Sequence, residues 1–288
     1  MNRILRRLRH ASRVLTGQGS AGRGATIFPD DVFLVSYPKS GNTWVRFLIA
    51  NLVHQDQPVT FLNIESCLPS IYILPDRKLR KVSRPRILKS HECFVPRYPS
   101  VIYIARDPRD VAVSYYYYNL KKRLLPQDCT LEQYIPLFIA DELDMRSGPW
   151  GDHVMSWMSM RRDHPRFLLL RYEDMIVDTE AELARVAEFL ALRTTPLRIR
   201  RAVELGSAKN MRSLEEKQSG QWVFTKGMRK DIPFVRAATA GGWRSNLSPC
   251  AVEQIETAWG KAMQTLGYTL SRSLPAASLV SETSKCVP

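Results

Sequence analysis

The chain has 288 residues, 44% of them hydrophobic, and a formal net charge of +14 at pH 7. That length and hydrophobic content allow one large buried core or two small ones. The charge fits nucleic acid, a membrane surface or small anionic ligands. The sequence contains no zinc finger or RNA-recognition signature, which argues against a nucleic-acid partner. No run approaches the roughly 20 apolar residues that a membrane-spanning helix needs.

The cysteines are few, odd in number and widely spaced, with no C-x-x-C pair. They are Cys67, Cys93, Cys129, Cys250 and Cys286. This pattern predicts no disulfide framework and favours a reduced, cytoplasmic protein. No grouping of Asp, Glu, His and Cys has metal-ligand spacing, so we expect no metal.

The two ends differ in composition from the middle of the chain. Residues 1–26 begin with clustered arginines and continue through a Gly-, Ser- and Arg-rich stretch, which predicts a basic, flexible N-terminal segment with a linker. Its start has the pattern of an amphipathic helix, so weak contact with a membrane surface is one interpretation and a solvated tail the other. Residues 273–288 are rich in Ser, Pro and Ala and are expected to be disordered. The folded domain is therefore predicted over 27–272.

The first strand and helix enclose a turn of small and polar residues. Residues 32–36 are an apolar run of strand type, residues 37–43 read Tyr-Pro-Lys-Ser-Gly-Asn-Thr, and a helix is predicted from Thr43 to His54. The unpaired N–H groups and the dipole of such a helix start favour an anion, and Lys39 adds a full positive charge. The stretch predicts a P-loop-like phosphate-binding loop. It is not a Walker A loop, in which the lysine follows the second glycine.

Strands and helices alternate along the rest of the chain. Residues 55–86 hold several prolines and predict an irregular excursion with short helices, of the kind that shapes a substrate pocket. Short continuous apolar runs predict buried strands that begin near 85, 100 and 166. Helices are predicted over 109–122, 130–140, 151–162, 179–190, 197–205 and 248–266. The alternation predicts a three-layer α/β/α domain with a central parallel sheet.

The strand ends carry polar side chains that should meet. In open α/β sheets, ligands bind outside the carboxyl ends of the strands. Lys39 follows the first predicted strand, and Lys89 and His91 lie at the end of the second. Arg106 follows the third strand, with Ser114 in the helix after it, and Tyr172 lies at the end of the fourth. Three cations, a histidine and two hydroxyl groups at one edge suit a ligand with two separate anionic groups and a reacting centre.

Five segments resemble, in order, the motifs of the sulfotransferases that use 3′-phosphoadenosine 5′-phosphosulfate (PAPS). They span about residues 30 to 246. The loop at 37–44 is similar to the family's 5′-phosphosulfate loop, and Lys89-Ser90-His91 to its Lys-Thr-His catalytic segment. The others are 106–116 (3′-phosphate motif), 171–175 (Tyr-Glu-Asp-Met) and 234–244 (Arg-Lys-Gly…Gly-Asp-Trp). The resemblance implies a PAPS-dependent transferase with the α/β fold of that family.

The resemblance also implies which residues hold the donor. Around the 5′-phosphate it places the loop residues Lys39, Ser40, Gly41, Asn42 and Thr43. For adenine it implies Trp44 and Tyr172, with Ser207 nearby. For the 3′-phosphate it implies Arg106, Ser114, Arg236, Ala237 and Ala238.

The catalytic roles that the resemblance implies fit the chemistry of an in-line transfer. His91 takes the proton of a hydroxyl or amine acceptor as it attacks sulfur, since an unperturbed pKa near 6.5 suits a general base. Lys39 stabilises the departing phosphate, and Lys89 stabilises the transferring oxygens. Glu92 is the competing base. Neighbouring side chains of an extended segment point to opposite faces, so only one of the two can face the donor.

Three departures from the family pattern bear on the donor site. Asn42 stands where the family usually has Thr, and we expect it still to donate a hydrogen bond. Ala237 and Ala238 replace the Lys and Gly of Arg-Lys-Gly, which removes one cation. Met228-Arg229-Lys230 imitates that motif at the wrong distance from the tryptophan, so Arg236 is preferred. Ala208 follows Ser207 where the family has Phe, so a ring over adenine is lost.

Several alternatives stay open. The loop alone also fits a P-loop-type nucleotide kinase, and a non-catalytic binder of adenosine 3′,5′-bisphosphate would need the same clamp. Arg106 could pair with Asp110 at a helix start instead of binding phosphate, and His153 could line the acceptor pocket. The sequence carries no code for the acceptor, which is a small molecule, saccharide or lipid with a hydroxyl or amine. It leaves the oligomeric state open.

Overall fold

The structure, a computed structural model, describes residues 20–143 and 147–271. Residues 1–19 and 272–288 lie outside the described residues, so the predicted amphipathic start and disordered tail have no structural account. Within the described part of the chain no helix is long and apolar enough to cross a membrane.

A four-stranded parallel sheet forms the centre of the domain. Its strands are β1 (Val32–Ser36), β2 (Ile87–Ser90), β3 (Ser100–Ala105) and β4 (Phe167–Arg171). The spatial order is β2-β1-β3-β4, and every neighbouring pair is parallel. The registers place Val35 beside both Ser90 and Tyr103, so the carboxyl ends of the strands share one edge. The predicted three-layer α/β/α fold with a parallel sheet is confirmed.

Helices cover both faces of the sheet. In chain order they are α1 (Asn42–Val53), α2 (Ile64–Cys67), α3 (Asp76–Leu79), α4 (Pro108–Lys121), α5 (Leu131–Ile139), α6 (Trp150–Arg161), α7 (Tyr172–Val177), α8 (Thr179–Phe189), α9 (Pro196–Leu205), α10 (Ala208–Gln218) and α11 (Pro249–Thr265). Short 3₁₀ turns occupy Gly22–Gly24 and Gly242–Ser245. The sequence prediction missed α10, because this helix buries only Met211 and Glu215 and shows no apolar stripe.

Two cores follow from the alternation of side chains along the strands. Phe33 and Val35 point to one face of β1 and pack in a core with helices α4, α5, α6 and α11. Val32 and Leu34 point to the other face, where α1, α8, α9 and α10 pack. Each strand therefore buries both of its faces, which is why the apolar runs are continuous rather than alternating.

Residues 20–26 are docked on the domain rather than forming the predicted linker. The N–H groups of Ala21 and Gly22 donate to Leu74 O (2.9 Å) and Ile71 O (2.8 Å). Thr26 donates to the Asp76 carboxylate through its N–H (2.7 Å) and its hydroxyl (2.8 Å). The segment packs on the 55–86 excursion, and the described fold extends before residue 27.

A buried ion pair joins the starts of the two strands that carry the loop and the histidine. Arg86, just before β2, donates to both oxygens of Asp31, just before β1, at 2.8 and 2.5 Å, and both side chains are fully buried. The same guanidinium also donates to Leu79 O and Thr26 O. Four of its five N–H donors therefore have protein acceptors.

Asp31→Ala should strongly destabilise the protein, because it leaves the Arg86 guanidinium buried without its counter-charge. We expect a loss of about 3–5 kcal/mol in the free energy of unfolding. The matched control is Asp30→Ala, which removes a carboxylate from an exposed pair with Arg84 and should change stability little. Urea denaturation of both variants measures the difference. Equal effects of the two substitutions would contradict the assigned role of the buried pair.

Candidate active site

The turn between β1 and α1 is built on left-handed backbone. Lys39 has φ 68° and Gly41 has φ 93°. A Cβ on Gly41 would lie 2.6 Å from Cδ2 of Tyr172, so this position needs glycine both for its φ and for the close approach of the ring. The Ser40 side chain is buried, and its hydroxyl has no hydrogen-bond partner among the described residues. The turn brings Lys39, Gly41 and Thr43 to the wall of a large cavity.

Asn42 lies at the cavity wall, but its amide nitrogen donates into the protein. Its Nδ2 donates to Leu34 O (3.4 Å) and to Ser36 Oγ (3.2 Å) at the end of β1, and the residue is buried. The prediction that the Asn42 amide donates to a phosphate does not match this geometry. What Asn42 contacts instead is Ser36, a residue that also contacts the predicted base.

His91 follows β2, and its ring is held by Ser36. His91 Nδ1 lies 2.7 Å from Ser36 O and 3.3 Å from Ser36 Oγ. A carbonyl oxygen only accepts, so Nδ1 carries the proton and the lone pair is on Nε2. Burial, with a smaller effect of the Lys89 charge, lowers the pKa of His91 well below 6.5. At neutral pH the imidazole is therefore uncharged and able to accept a proton.

Glu92 points the other way and is engaged elsewhere. Its carboxylate pairs with Arg23 and accepts from the Tyr72 hydroxyl at 3.1 Å. Only His91 of the two candidate bases lines the large cavity at the sheet edge. The side chains of His91 and Glu92 therefore point to opposite sides, as expected for neighbours in an extended segment.

The two lysines at the edge have lost hydration, and neither pairs with a carboxylate among the residues that the structure describes. Lys39 Nζ lies over the rings of Tyr118 (4.3 Å) and Phe234 (4.4 Å). Lys89 is buried, with Nζ 4.5 Å from the Phe224 ring. Burial, and after it nearby arginine charge (Arg106 first for Lys39), lowers the pKa of each to about 7.

Arg106 extends from β3 and does not pair with Asp110. Its guanidinium donates to Lys39 O (3.2 Å) and Thr239 O (3.1 Å) and lies 4.1 Å from the Tyr172 ring. Its Nε is buried without a hydrogen-bond partner among the described residues. Asp110 instead accepts from the N–H groups of Gly241 (2.7 Å) and Trp243 (2.9 Å). The capping alternative for Arg106 is therefore wrong.

Arg236 completes the positive edge. Its guanidinium donates to Val113 O at 3.4 Å and lies 3.7 Å from the ring of Tyr117 on α4. It lines the large cavity together with Ser114, Ala237 and Ala238. The rival Arg229 is paired with Asp231 at 3.0 and 2.5 Å and lines a neighbouring cavity. The structure thus brings Arg236, and not Arg229, to the predicted clamp.

The aromatic end of the cavity is formed by α1, α7 and α10. Trp44 and Tyr172 meet edge to face, with ring centroids 5.5 Å apart. Ser207 caps α10, its hydroxyl accepting from Asn210 N at 3.3 Å, and Ala208 follows it on the cavity wall. All these side chains line one cavity of about 1120 Å³, as do Lys39, Gly41, Asn42 and Thr43 of the loop.

The sequence did not predict how His153 and Tyr72 support the site. His153 is buried; its Nε2 lies 3.2 Å from His91 O and its Nδ1 2.9 Å from the Tyr103 hydroxyl, so it supports His91 and does not line the pocket, the alternative that the sequence left open. Burial lowers the pKa of His153 to about 4. Tyr72 accepts from His91 N at 2.8 Å. Neither contact leaves a signal in the order of residues, because each joins segments far apart in the chain.

Comparisons with known proteins agree with this geometry. The family model described as "Sulfotransferase domain" matches residues 29–267. Sulfotransferase 1 family member D1 of Rattus norvegicus is 28% identical over 258 residues, covering 82% of this chain and 84% of the relative. Mouse sulfotransferase SULT7A1 complexed with PAP superposes with a TM-score of 0.68 at 23% identity, covering 85% of this chain and 87% of that one. Retinol dehydratase in complex with androsterone and the inactive cofactor PAP gives 0.67 at 21%, covering 88% and 86%.

The matched region is most of the chain, and the chain therefore belongs to the sulfotransferase domain family. It is a sulfotransferase, and the kinase alternative that the loop alone allowed is not favoured. Within the described residues no group of three or more His, Cys, Asp or Glu side chains could hold a metal ion.

Replacing Ala238 by glycine should stabilise the protein. Ala238 has φ 56°, a left-handed conformation that costs an alanine about 1–2 kcal/mol, while the extra freedom of glycine in the unfolded chain offsets up to about 1 kcal/mol of the gain. We expect a net gain of roughly 0.5–1 kcal/mol, measured by urea denaturation. The control is Ala240→Gly, at an alanine without positive φ, which should be destabilising. A loss of stability in Ala238→Gly would contradict the strained backbone.

Binding of adenosine 3′,5′-bisphosphate should weaken as the pH rises. The pKa of Lys39 is about 7, so its charge is present below that pH and lost above it, whereas a bound phosphate requires the charge. Between about pH 7.5 and 9 the ligand phosphates are already ionised, and each unit should cost up to about tenfold in affinity per lysine. Titration calorimetry measures the affinity. Lys39→Arg, which stays charged, should make the profile less steep, while Lys89 still titrates; a flat wild-type profile would contradict the lowered pKa.

Proposed function

We propose that this protein transfers a sulfuryl group from PAPS to a hydroxyl or amine acceptor, with His91 as general base. One observation carries the proposal. Lys39, Lys89, Arg106 and Arg236 surround a single cavity, and none of them forms an ion pair with a carboxylate within residues 20–143 and 147–271. Unneutralised charge on this scale fits a ligand with several anionic groups.

Two buried polar atoms without partners support the fit to such a donor. Ser40 Oγ and Arg106 Nε are both buried and have no hydrogen-bond partner among the described residues. Arg106 lines the cavity, and Ser40 stands between Lys39 and Gly41, which also line it. Phosphate oxygens are strong acceptors that satisfy hydroxyl and guanidinium donors. Ser40 with the turn at Gly41 to Thr43 would hold the 5′-phosphate. Arg106, Ser114 and Arg236 would hold the 3′-phosphate, with the backbone of Ala237 and Ala238 beside it.

The adenine would lie at the aromatic end of the cavity. Trp44 and Tyr172 would hold the base by ring contact, and Ser207 and Ala208 would form the opposite wall. With this assignment, the residues that would bind the 5′-phosphate and those that would bind the 3′-phosphate lie at different places along the cavity. The assignment leaves the mouth near His91 and Lys89 for the acceptor.

His91 is oriented for proton removal from the acceptor. With the proton on Nδ1 held by Ser36 O, Nε2 accepts the acceptor proton while the acceptor oxygen or nitrogen bonds to sulfur. Lys39 stabilises the phosphate as the bond from its oxygen to sulfur breaks. Lys89 neutralises charge on the sulfuryl oxygens. The donor supplies the activated sulfuryl group, and the protein supplies position and charge.

The acceptor pocket is bounded by side chains of mixed character. Its walls include Tyr72, Tyr115, Phe224, Met228 and Leu143. The retinol dehydratase neighbour is described in complex with androsterone, a small apolar alcohol. We propose a small-molecule acceptor for this chain as well. Location in the cytoplasm, weak membrane contact of the basic start and the absence of a metal stay predictions.

The proposal is tested by sulfate transfer from labelled PAPS to an acceptor library. Wild type should transfer label, and His91→Ala should lower kcat by at least about 100-fold while binding adenosine 3′,5′-bisphosphate as wild type does. Glu92→Ala is the matched comparison, because it removes the rejected base. If Glu92→Ala is inactive and His91→Ala is active, the assignment of His91 as base is overturned.

Calorimetry separates the alternatives. The proposal requires tight binding of adenosine 3′,5′-bisphosphate without Mg²⁺ and no binding of ATP. Binding of that bisphosphate without transfer to any acceptor would favour a non-catalytic binder. Magnesium-dependent ATP binding would favour a nucleotide kinase instead.

A further inference from the structure

A residue ahead of the matched family region reaches the catalytic segment. The family match begins at residue 29, whereas Arg23 belongs to the docked segment at 20–26. Arg23 Nε donates to the carboxylate of Glu92, the residue after His91. The arginine side chain is 71% exposed and the glutamate side chain 8%, so the carboxylate is the buried partner.

Glu92 passes this contact to His91 through Tyr72. The Tyr72 hydroxyl donates to Glu92 Oε1 at 3.1 Å and accepts from the His91 N–H at 2.8 Å. The rings of Tyr72 and His91 are nearly parallel, with an interplanar angle of 8° and centroids 6.2 Å apart. One hydroxyl therefore fixes both the backbone of the base and one wall beside its ring.

The backbone around Tyr72 is itself fastened to β2 and to the docked segment. Ile71 N donates to Lys89 O at 3.2 Å, and Gly22 N donates to Ile71 O at 2.8 Å. The docked segment at 20–26 thus lies beside the excursion at 55–86, and the excursion lies beside β2, the strand that leads to His91. Arg23 is the only charged side chain of the docked segment that pairs with Glu92 in the described residues.

We propose that Arg23 is a positioning residue for His91, acting through Glu92 and Tyr72. A carboxylate as buried as that of Glu92 is unfavourable without a counter-charge beside it. Without Arg23 the carboxylate must move toward water. The acceptor of the Tyr72 hydroxyl then changes, and with it the position of the His91 backbone. The inference rests on the proposed role of His91 as base.

The test measures kinetics and donor binding in the full chain. Arg23→Ala should lower kcat by roughly tenfold and leave the KM for PAPS and the affinity for adenosine 3′,5′-bisphosphate unchanged, because a small displacement of the base affects only the chemical step. Arg23→Lys should recover most of the rate. Arg84→Ala, which removes another exposed arginine from a pair near β1, is the control and should keep the wild-type rate.

A double substitution separates positioning from a general loss of structure. Glu92→Gln removes the charge that requires Arg23, so adding Arg23→Ala to it should cost less than about twofold further. If Arg23→Ala costs the same tenfold in both backgrounds, or costs nothing in wild type, the inference is overturned. Should Arg23→Ala fail to fold, Tyr72→Phe replaces it, with the same expected fall in kcat and unchanged bisphosphate affinity; an unchanged kcat overturns the inference.

A spectroscopic measurement distinguishes failure of this inference from failure of the proposed function. If wild type transfers no sulfate, the proposed function has failed. The ¹⁵N resonances of the His91 imidazole then test the contact directly. They should shift in Arg23→Ala and not in Arg84→Ala; no shift in Arg23→Ala overturns the inference.

Discussion

The whole site depends on holding several positive charges close together without carboxylates to neutralise them. Burial, and then the charges of Arg106, Arg236 and Lys89, lower the pKa of Lys39 to about 7; burial, and then the charge of Arg46, lower that of Lys89 to about 7. Such a cluster is unfavourable in the folded protein until an anion arrives. The strain is confined to the edge where the parallel strands end, and the rest of the structure must supply the stability that keeps this edge in place.

Behind the site, buried charges that are paired with charges of opposite sign provide that stability. Arg109 sits between Asp107 and Glu256, with hydrogen bonds of 2.6 Å to each, and its guanidinium lies 3.9 Å from the Trp243 ring. Glu173 accepts from Asp107 N at 3.0 Å and from the Tyr268 hydroxyl at 2.9 Å. The 3′-phosphate and Tyr-Glu-Asp motifs therefore mix two sorts of residue: those that face the ligand, and those that join α4, α7 and α11 beneath it.

The sequence was sufficient for the sheet, and most of the site residues that it predicts line the cavity, for a physical reason. Strand type, parallel order and the position of polar residues at strand ends are local patterns, so Lys39, His91 and Arg106 could be placed at one edge before the structure was known. The direction of Asn42, the φ of Ala238 and the helix at 208–218 could not. Each depends on tertiary contacts: Asn42 turns to Ser36, and α10 is held by packing rather than by an apolar stripe.

The inward direction of the Asn42 amide links the loop before α1 to His91. Asn42 opens α1, the helix that the donor loop leads into, and donates to Ser36 Oγ at 3.2 Å. The carbonyl of the same Ser36 accepts from His91 Nδ1 at 2.7 Å and fixes its tautomer. The loop and the proposed base, His91, therefore share one serine at the end of β1, which is buried and paired with Ile104 of β3. Because that contact is made within the protein itself, His91 is held with its proton on Nδ1 before any ligand binds, and binding energy need not be used to orient it.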